Sequence, residues 1–252
     1  MVLVPPGTYF RGDPDSAVLI TLTQPLWVGK YEVTQHQYAV LTGTNPSHFR
    51  RPPPDMASHP VESVSHREAT DCCAVAARNT GGGFRLLTEA EWEYAYRAGT
   101  RTKFYNGDAD DRVGEIARYG ADHAPAPARI GGKAPNAFGL HDMAGNVWEW
   151  VSDLWTKSYE PTQTVDPTGP PTGQGRVTRG SSWDASSNDC RAAHRSRDAE
   201  TYAGSHLGFR LARAASGPPH PLDCTGPEGA DPEAVAAAQR RWALHLGAAG
   251  PR

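Results

Sequence analysis

The spacing of apolar positions predicts three short helices within the first hundred residues. Tyr38 and Leu41, then Ala69, Cys72, Cys73 and Ala76, then Trp92, Ala95 and Tyr96 each fall on one helical face. Each set follows a Ser or Thr with Gln or Glu three positions on: Thr34 with Gln37, Ser65 with Glu68, Thr88 with Glu91. In such a capping box the two side chains satisfy each other's backbone donors at a helix start. Glycine follows each set, at Gly43, Gly81 and Gly99, the residue that most readily closes a helix in the left-handed conformation. Strand-like runs lie at Met1–Val4 with Tyr9–Phe10, Val18–Leu22, Leu26–Val33, Val147–Val151, Arg176–Arg179 and Leu207–Ala212.

Between these elements, residues 100–145 show little periodicity and no obvious core. So long an irregular stretch implies a functional loop or an organising ion. Residues 214–230 read as a Pro/Gly linker. Asp231 and Pro232 then open a predicted helix over 231–247, Asp as N-cap and Pro in the first turn. Its apolar stripe is Val235, Ala238, Trp242 and Leu246. The helix either docks back on the domain or begins a neighbouring unit of a larger assembly, and the second is the preferred expectation.

Composition sharpens this picture. The 252 residues include 26 Gly, 22 Pro, seven Trp and nine Tyr but three Met, which suits a turn-rich, aromatic-cored domain of residues 1–213. A net charge of -3 gives no electrostatic footprint for nucleic acid. No run of 18 apolar residues predicts a membrane span, and the uncharged start before Pro5-Pro6-Gly7 does not read as a signal peptide. A cytoplasmic setting is the expectation. Four cysteines (Cys72, Cys73, Cys190, Cys224) are too few and too irregular for a disulfide framework. Adjacent Cys72 and Cys73 are expected to point to opposite sides of their element.

Ordered motifs add a resemblance: PPGTYFRG, GKYEVTQHQY, PVESVSHREATDCC, FRLLTEAEWEYAYRAG, NAFGLHDMAGNVWEWVSD, RVTRGSSW, CRAAHRSR and LGFRLAR. In this order they resemble the formylglycine-generating-enzyme, or sulfatase-modifying-factor, family. The resemblance implies an α+β, elaborated C-type-lectin-like fold, low in regular structure, with short helices packed on small antiparallel sheets. It also implies a copper-binding cysteine pair in cysteine-oxidising members, since Cu(I) requires soft thiolates. An ungapped count from Gly180 puts the first of that pair on Ala185 and the second on Cys190. Copper chemistry is therefore not expected; Cys190 reads as a small buried residue, with Ser182 and Cys190 catalytic only if the chain is an oxidase. The family's sulfoxide-synthase branch holds iron on histidines of a separate helical domain. The ten histidines here are scattered, and His36 and His66, in first helical turns, read as solvated.

For calcium, the resemblance implies ligands at Asp142, Gly145, Val147 and Glu149: a side chain, two carbonyls and a glutamate. The alternative is that Asp142 caps a turn and Glu149 pairs with an arginine. Arg179, Arg191 and Arg210 read as structural, and Trp148 and Trp150 as core. The remaining candidate is the polar, small-residue face of residues 183–206. Its candidate ligand-binding residues are Trp183, Asp184, Ser186, Asn188, Asp189, His194, Arg195, Tyr202 and His206. It is similar to the variable face of retroelement-diversified lectin-fold proteins. The expected function is a module binding a protein or small-molecule ligand, with a metal oxidase or a diversified binder as alternatives.

Overall fold

The computed structural model describes residues 1–120, 125–160 and 162–215. The expected linker and the helix at 231–247 lie outside the described residues, apart from the first two linker positions. All three capping boxes form. Helix α1 spans Gln35–Thr42 behind Thr34, α2 spans His66–Thr80 behind Ser65, and α3 spans Glu89–Arg97 behind Thr88. The first two close on left-handed Gly43 and Gly81. The third closes one residue earlier than expected, on Ala98 at φ 44°.

The strands are β1 Val2–Val4, β2 Gly7–Arg11, β3 Val18–Leu22, β4 Leu26–Val28, β5 Ala117–Arg118, β6 Ala144–Gly145, β7 Trp148–Leu154, β8 Arg176–Arg179, β9 Ser196–Asp198, β10 Leu207–Gly208 and β11 Ala212–Ala214. They pair as β1-β4-β11, β10-β7-β8-β9, β2-β3 and β5-β6. Most pairs are antiparallel, but β10-β7 and β5-β6 run parallel. Two expected strands are cut short. Leu26–Val33 ends at Val28, because Gly29 turns its N–H onto the Leu211 carbonyl at 2.7 Å. Leu207–Ala212 divides into β10 and β11, which serve different sheets, so that Arg210 between them turns into the core.

One buried cluster joins β1–β4 to α3 and the irregular 104–144 stretch; a second joins α1 and α2 to Trp150, Leu207 and Phe209. The 100–145 stretch is thus core-bearing, contrary to expectation: Phe104, Val113, Ile116, Leu140 and Met143 are fully buried. Its order comes from side-chain hydrogen bonds to backbone. The Asn136 amide donates to the Ala95 and Tyr96 carbonyls at 2.7 and 3.1 Å while accepting from Phe138 and Leu140. Cys72 and Cys73 are both buried in the second cluster, because consecutive helical side chains stand only about 100° apart. His66 is likewise buried, its Nε2 3.1 Å from the Val151 carbonyl, whereas His36 is exposed. Among the described residues no helix is long and apolar enough to cross a membrane.

Candidate functional site

The 183–206 segment lies over a framework of buried charge. Glu89 takes Arg11 at 2.8 Å and Arg195 at 2.6 and 2.9 Å. Glu93 takes Arg97 at 2.9 Å and Arg179 at 2.6 Å. Arg179 has no exposed surface and donates to the carbonyls of Ala192 and His194 at 2.7 and 2.5 Å, with Trp92 stacked 5.0 Å from its guanidinium. The Tyr96 hydroxyl donates to the Cys190 carbonyl at 2.6 Å. The backbone of residues 190–194 is therefore held from beneath by α3 and β8, with every clamp a charged or phenolic donor in a low-dielectric setting.

Above this framework, Asp184, Ser186, Asn188 and Tyr202 are exposed, while Trp183, Asp189, His194 and His206 are half-buried. Trp183 donates to the Ser205 carbonyl at 3.4 Å and meets Phe49 edge to face at 5.5 Å. Asp189 receives the Ser186 hydroxyl at 2.7 Å and lies 3.5 Å from His194, whose ring packs 5.7 Å from Trp148. Burial lowers the His194 pKa, with Asp189 opposing the shift. Tyr202 and His206 stack at 6.1 Å around Gly204, where a Cβ would come within 2.9 Å of both rings. Arg195 does not join this surface. It is turned inward onto Glu89 and lies over the Tyr159 ring at 4.2 Å.

Phe49, His48 and Trp148 join the face although sequence reasoning did not select them. Fully buried Glu62 brings the first two there, accepting the N–H groups of His48 and Phe49 at 3.1 and 2.7 Å; Ser63 beside it donates to the Gly204 carbonyl at 3.0 Å. The only trace in the sequence is an acidic residue within an apolar run, Pro60-Val61-Glu62, which a buried hydrogen-bonded role explains.

Cys190 has no exposed surface. Its thiol faces the Ser186 carbonyl at 3.7 Å, and burial pushes its pKa up to about 12. Ala185, at the first position of the implied pair, carries no thiol. Cys72 and Cys73 belong to the other core cluster. Ser182 is buried and donates to Asp184 at 2.6 Å.

Of the residues implied for calcium, Glu149 is in a buried ion pair with Arg210. Glu149 accepts from Arg210 Nε at 2.9 and 2.7 Å, from Arg210 Nη2 at 2.5 Å and from the Trp92 indole at 2.7 Å. Three N–H groups thus engage both carboxylate oxygens, which share the Nε–H between them. Asp142 accepts the Gly131 N–H at 2.6 Å, and the Val147 N–H is taken by Glu32 at 3.1 Å. Gly145 is required for packing: at φ 76° a Cβ there would lie 2.1 Å from the Arg118 carbonyl oxygen. In this arrangement the carboxylate of Glu149 faces Arg210 and Trp92. Among the described residues no group of three or more His, Cys, Asp or Glu side chains is placed to hold a metal ion. Glu32, Asp142 and Glu149 share the one guanidinium of Arg210, and burial raises the pKa of Glu32 and lifts that of Asp142 to about 6.

With this geometry in place, the comparisons are decisive for kinship. Residues 1–215 match the sulfatase-modifying factor enzyme 1-like domain. The chain belongs to that family. The formylglycine-generating enzyme of Bos taurus is 35% identical over 169 residues, which are 61% of this chain and 44% of that enzyme. The serine/threonine-protein kinase Pkn1 of Chlamydia trachomatis is 33% identical over 167 residues, 64% of this chain and 25% of the kinase. This chain thus matches less than half of either relative's length. Among solved structures, Treponema denticola variable protein 1 superposes with a TM-score of 0.77 at 29% identity, covering 84% of this chain and 94% of that one. The sulfatase-modifying-factor domain here accordingly has the C-type-lectin-like fold that its motifs imply.

Proposed function

We propose that this sulfatase-modifying-factor domain is a binding module that receives a protein or small-molecule ligand on the 183–206 face. The observation that carries this reading is the division between the two sides of the segment. Its backbone is clamped by Arg179 and Tyr96, whereas the side chains of Asn188 and Tyr202 project outward and those of the exposed Asp184 and Ser186 bond only within the segment, to Ser182 and Asp189. A rigid scaffold presenting small polar and aromatic side chains gives contact area at low entropic cost. Trp183, held edge-on by Phe49, is the natural anchor, with Asp189 and His194 as a polar pair beside it. The likeness to Treponema denticola variable protein 1 supports the same reading. Arg195 is left out of the ligand set, since Glu89 holds it.

The second reading is a formylglycine-generating oxidase, which the kinship with the bovine enzyme favours. Copper(I) titration of the reduced protein against a chromophoric chelator separates the two. The binding-module reading expects no tight copper site and no change on Cys190→Ala. A tight stoichiometric site that this substitution abolishes would establish the oxidase reading instead. In the same protein, replacing Asn188 and Tyr202 together with alanine should leave the melting temperature within a few degrees. A collapse of the fold would contradict their role as an expendable outer surface.

A further inference from the structure

Beside the clamps that hold residues 190–194 lies a pocket that the proposed function does not use. Its volume is about 320 Å³, within the range of ligand sites. Residues 12–14, 101–103 and 188–193 contribute its walls. Four cationic side chains line it, Arg97, Arg101, Lys103 and Arg191, against the two carboxylates of Asp13 and Asp108. Two of the walls are joined through backbone, since the Ala192 N–H donates to the Lys103 carbonyl at 2.9 Å.

We propose that this pocket is an anion site that takes a carboxylate or phosphate group. It stands whether or not the 183–206 face binds a ligand. The first support is Arg101, whose guanidinium lies over the Phe10 ring at 4.1 Å and meets no carboxylate among the described residues. A guanidinium stacked by its face keeps its in-plane N–H groups for an acceptor. The second is Arg191. It gives Nη1 to Asp13 at 2.8 Å and Nε to the Asn188 carbonyl at 2.9 Å, and its Nη2 takes no acceptor among the described residues. The two lining carboxylates are engaged already, Asp13 by Arg191 and Asp108 by the Lys103 N–H at 2.7 Å. The third is an excess of positive charge in the framework behind the pocket. Buried Arg97 shares the one carboxylate of Glu93 with Arg179, at 2.9 and 2.6 Å. Arg11 and Arg195 likewise share Glu89. Four guanidiniums thus divide two glutamates, and an anion beside Arg97 would offset the surplus.

The test follows the amide spectrum of the full, isotopically labelled chain during titration with inorganic phosphate and, separately, with succinate, at fixed ionic strength. Saturable shifts are expected at residues 101–103 and 188–193 with at least one of the two probes. A response to phosphate alone identifies a phosphate site, and a response to succinate alone a carboxylate site. Arg101→Gln should weaken the affinity by about tenfold or more. Arg67→Gln, which removes an exposed charge on α2, should leave it unchanged. The absence of a saturable shift with either probe would overturn the proposal. So would a response that both substitutions weaken equally, the mark of charge screening alone. Shifts centred on another surface overturn it as well, a reading that needs no variant.

Discussion

Arg210 shows how one side chain holds distant parts of this domain together. Only 1% exposed, it pairs with Glu149 and donates to the carbonyls of Gly29 and His141 at 2.9 and 3.0 Å. Arg210→Met removes those bonds and leaves the Glu149 carboxylate buried with only the Trp92 indole. Urea unfolding should show a loss of about 3–5 kcal/mol, of which the double variant Arg210→Met/Glu149→Gln recovers part. The same pair bears on metal dependence. With both oxygens of Glu149 engaged by Arg210 and Trp92, the melting temperature is expected to respond neither to chelator nor to millimolar calcium; a rise of several degrees with calcium would show that the pair opens around the ion. Cys190 makes a parallel case. With its thiol pushed up to about 12 by burial, little thiolate exists at pH 8. Iodoacetamide should therefore spare Cys190 in the native protein and modify it once urea unfolds the chain.

At the scale of elements, the helices are specified locally and the strands are not. The Thr88 hydroxyl accepts the Glu91 N–H at 3.2 Å, while Glu91 accepts the Thr88 N–H at 2.8 Å and also binds Arg85. Thr88→Ala should cost about 1 kcal/mol in chemical denaturation, more than the same change at the exposed Thr201. These signals were legible because a capping box lies within four consecutive residues. Helix α3 nonetheless exceeds its apolar stripe: Glu89 and Glu93 are as buried as Trp92. Their burial depends on Arg11, Arg179 and Arg195, far away in sequence. Strands β5, β6, β9 and β10 are two or three residues long, too short for alternation to mark them.

Across the whole molecule, buried titratable groups set opposing pH responses. Burial lifts the pKa of Asp142 and of Asp153 to about 6. Raised above their unfolded values, they contribute stability that is complete below pH 4 and lost as pH rises through about 6. His66 acts the other way. Burial, assisted by Arg176, lowers its pKa to about 4, so its contribution is present above pH 6.5 and lost as pH falls through about 4. Denaturant titrations from pH 4 to 7 should show Asp153→Asn removing part of the decline towards neutrality. His66→Gln should instead flatten the loss on the acidic side. Parallel profiles for variant and parent would refute either assignment.

The fold class, the family and the three helix starts could be read from the chain by itself, because capping and motif order are local properties. Placement of Trp183 and Tyr202 within a polar surface segment was legible for the same reason. The tertiary structure decided which of those residues face outward. Arg195 reads as a ligand-binding candidate in sequence, yet the carboxylate of Glu89 draws it inward. The 100–145 stretch lacks periodicity because Asn136 and Asp142, rather than regular ladders, satisfy its backbone. Glu149 reads as a partner for an ion or a guanidinium, and the approach of Arg210 across the fold is visible only in three dimensions. Burial and ion pairing depend on partners some 60 to 110 positions away, which no local window contains.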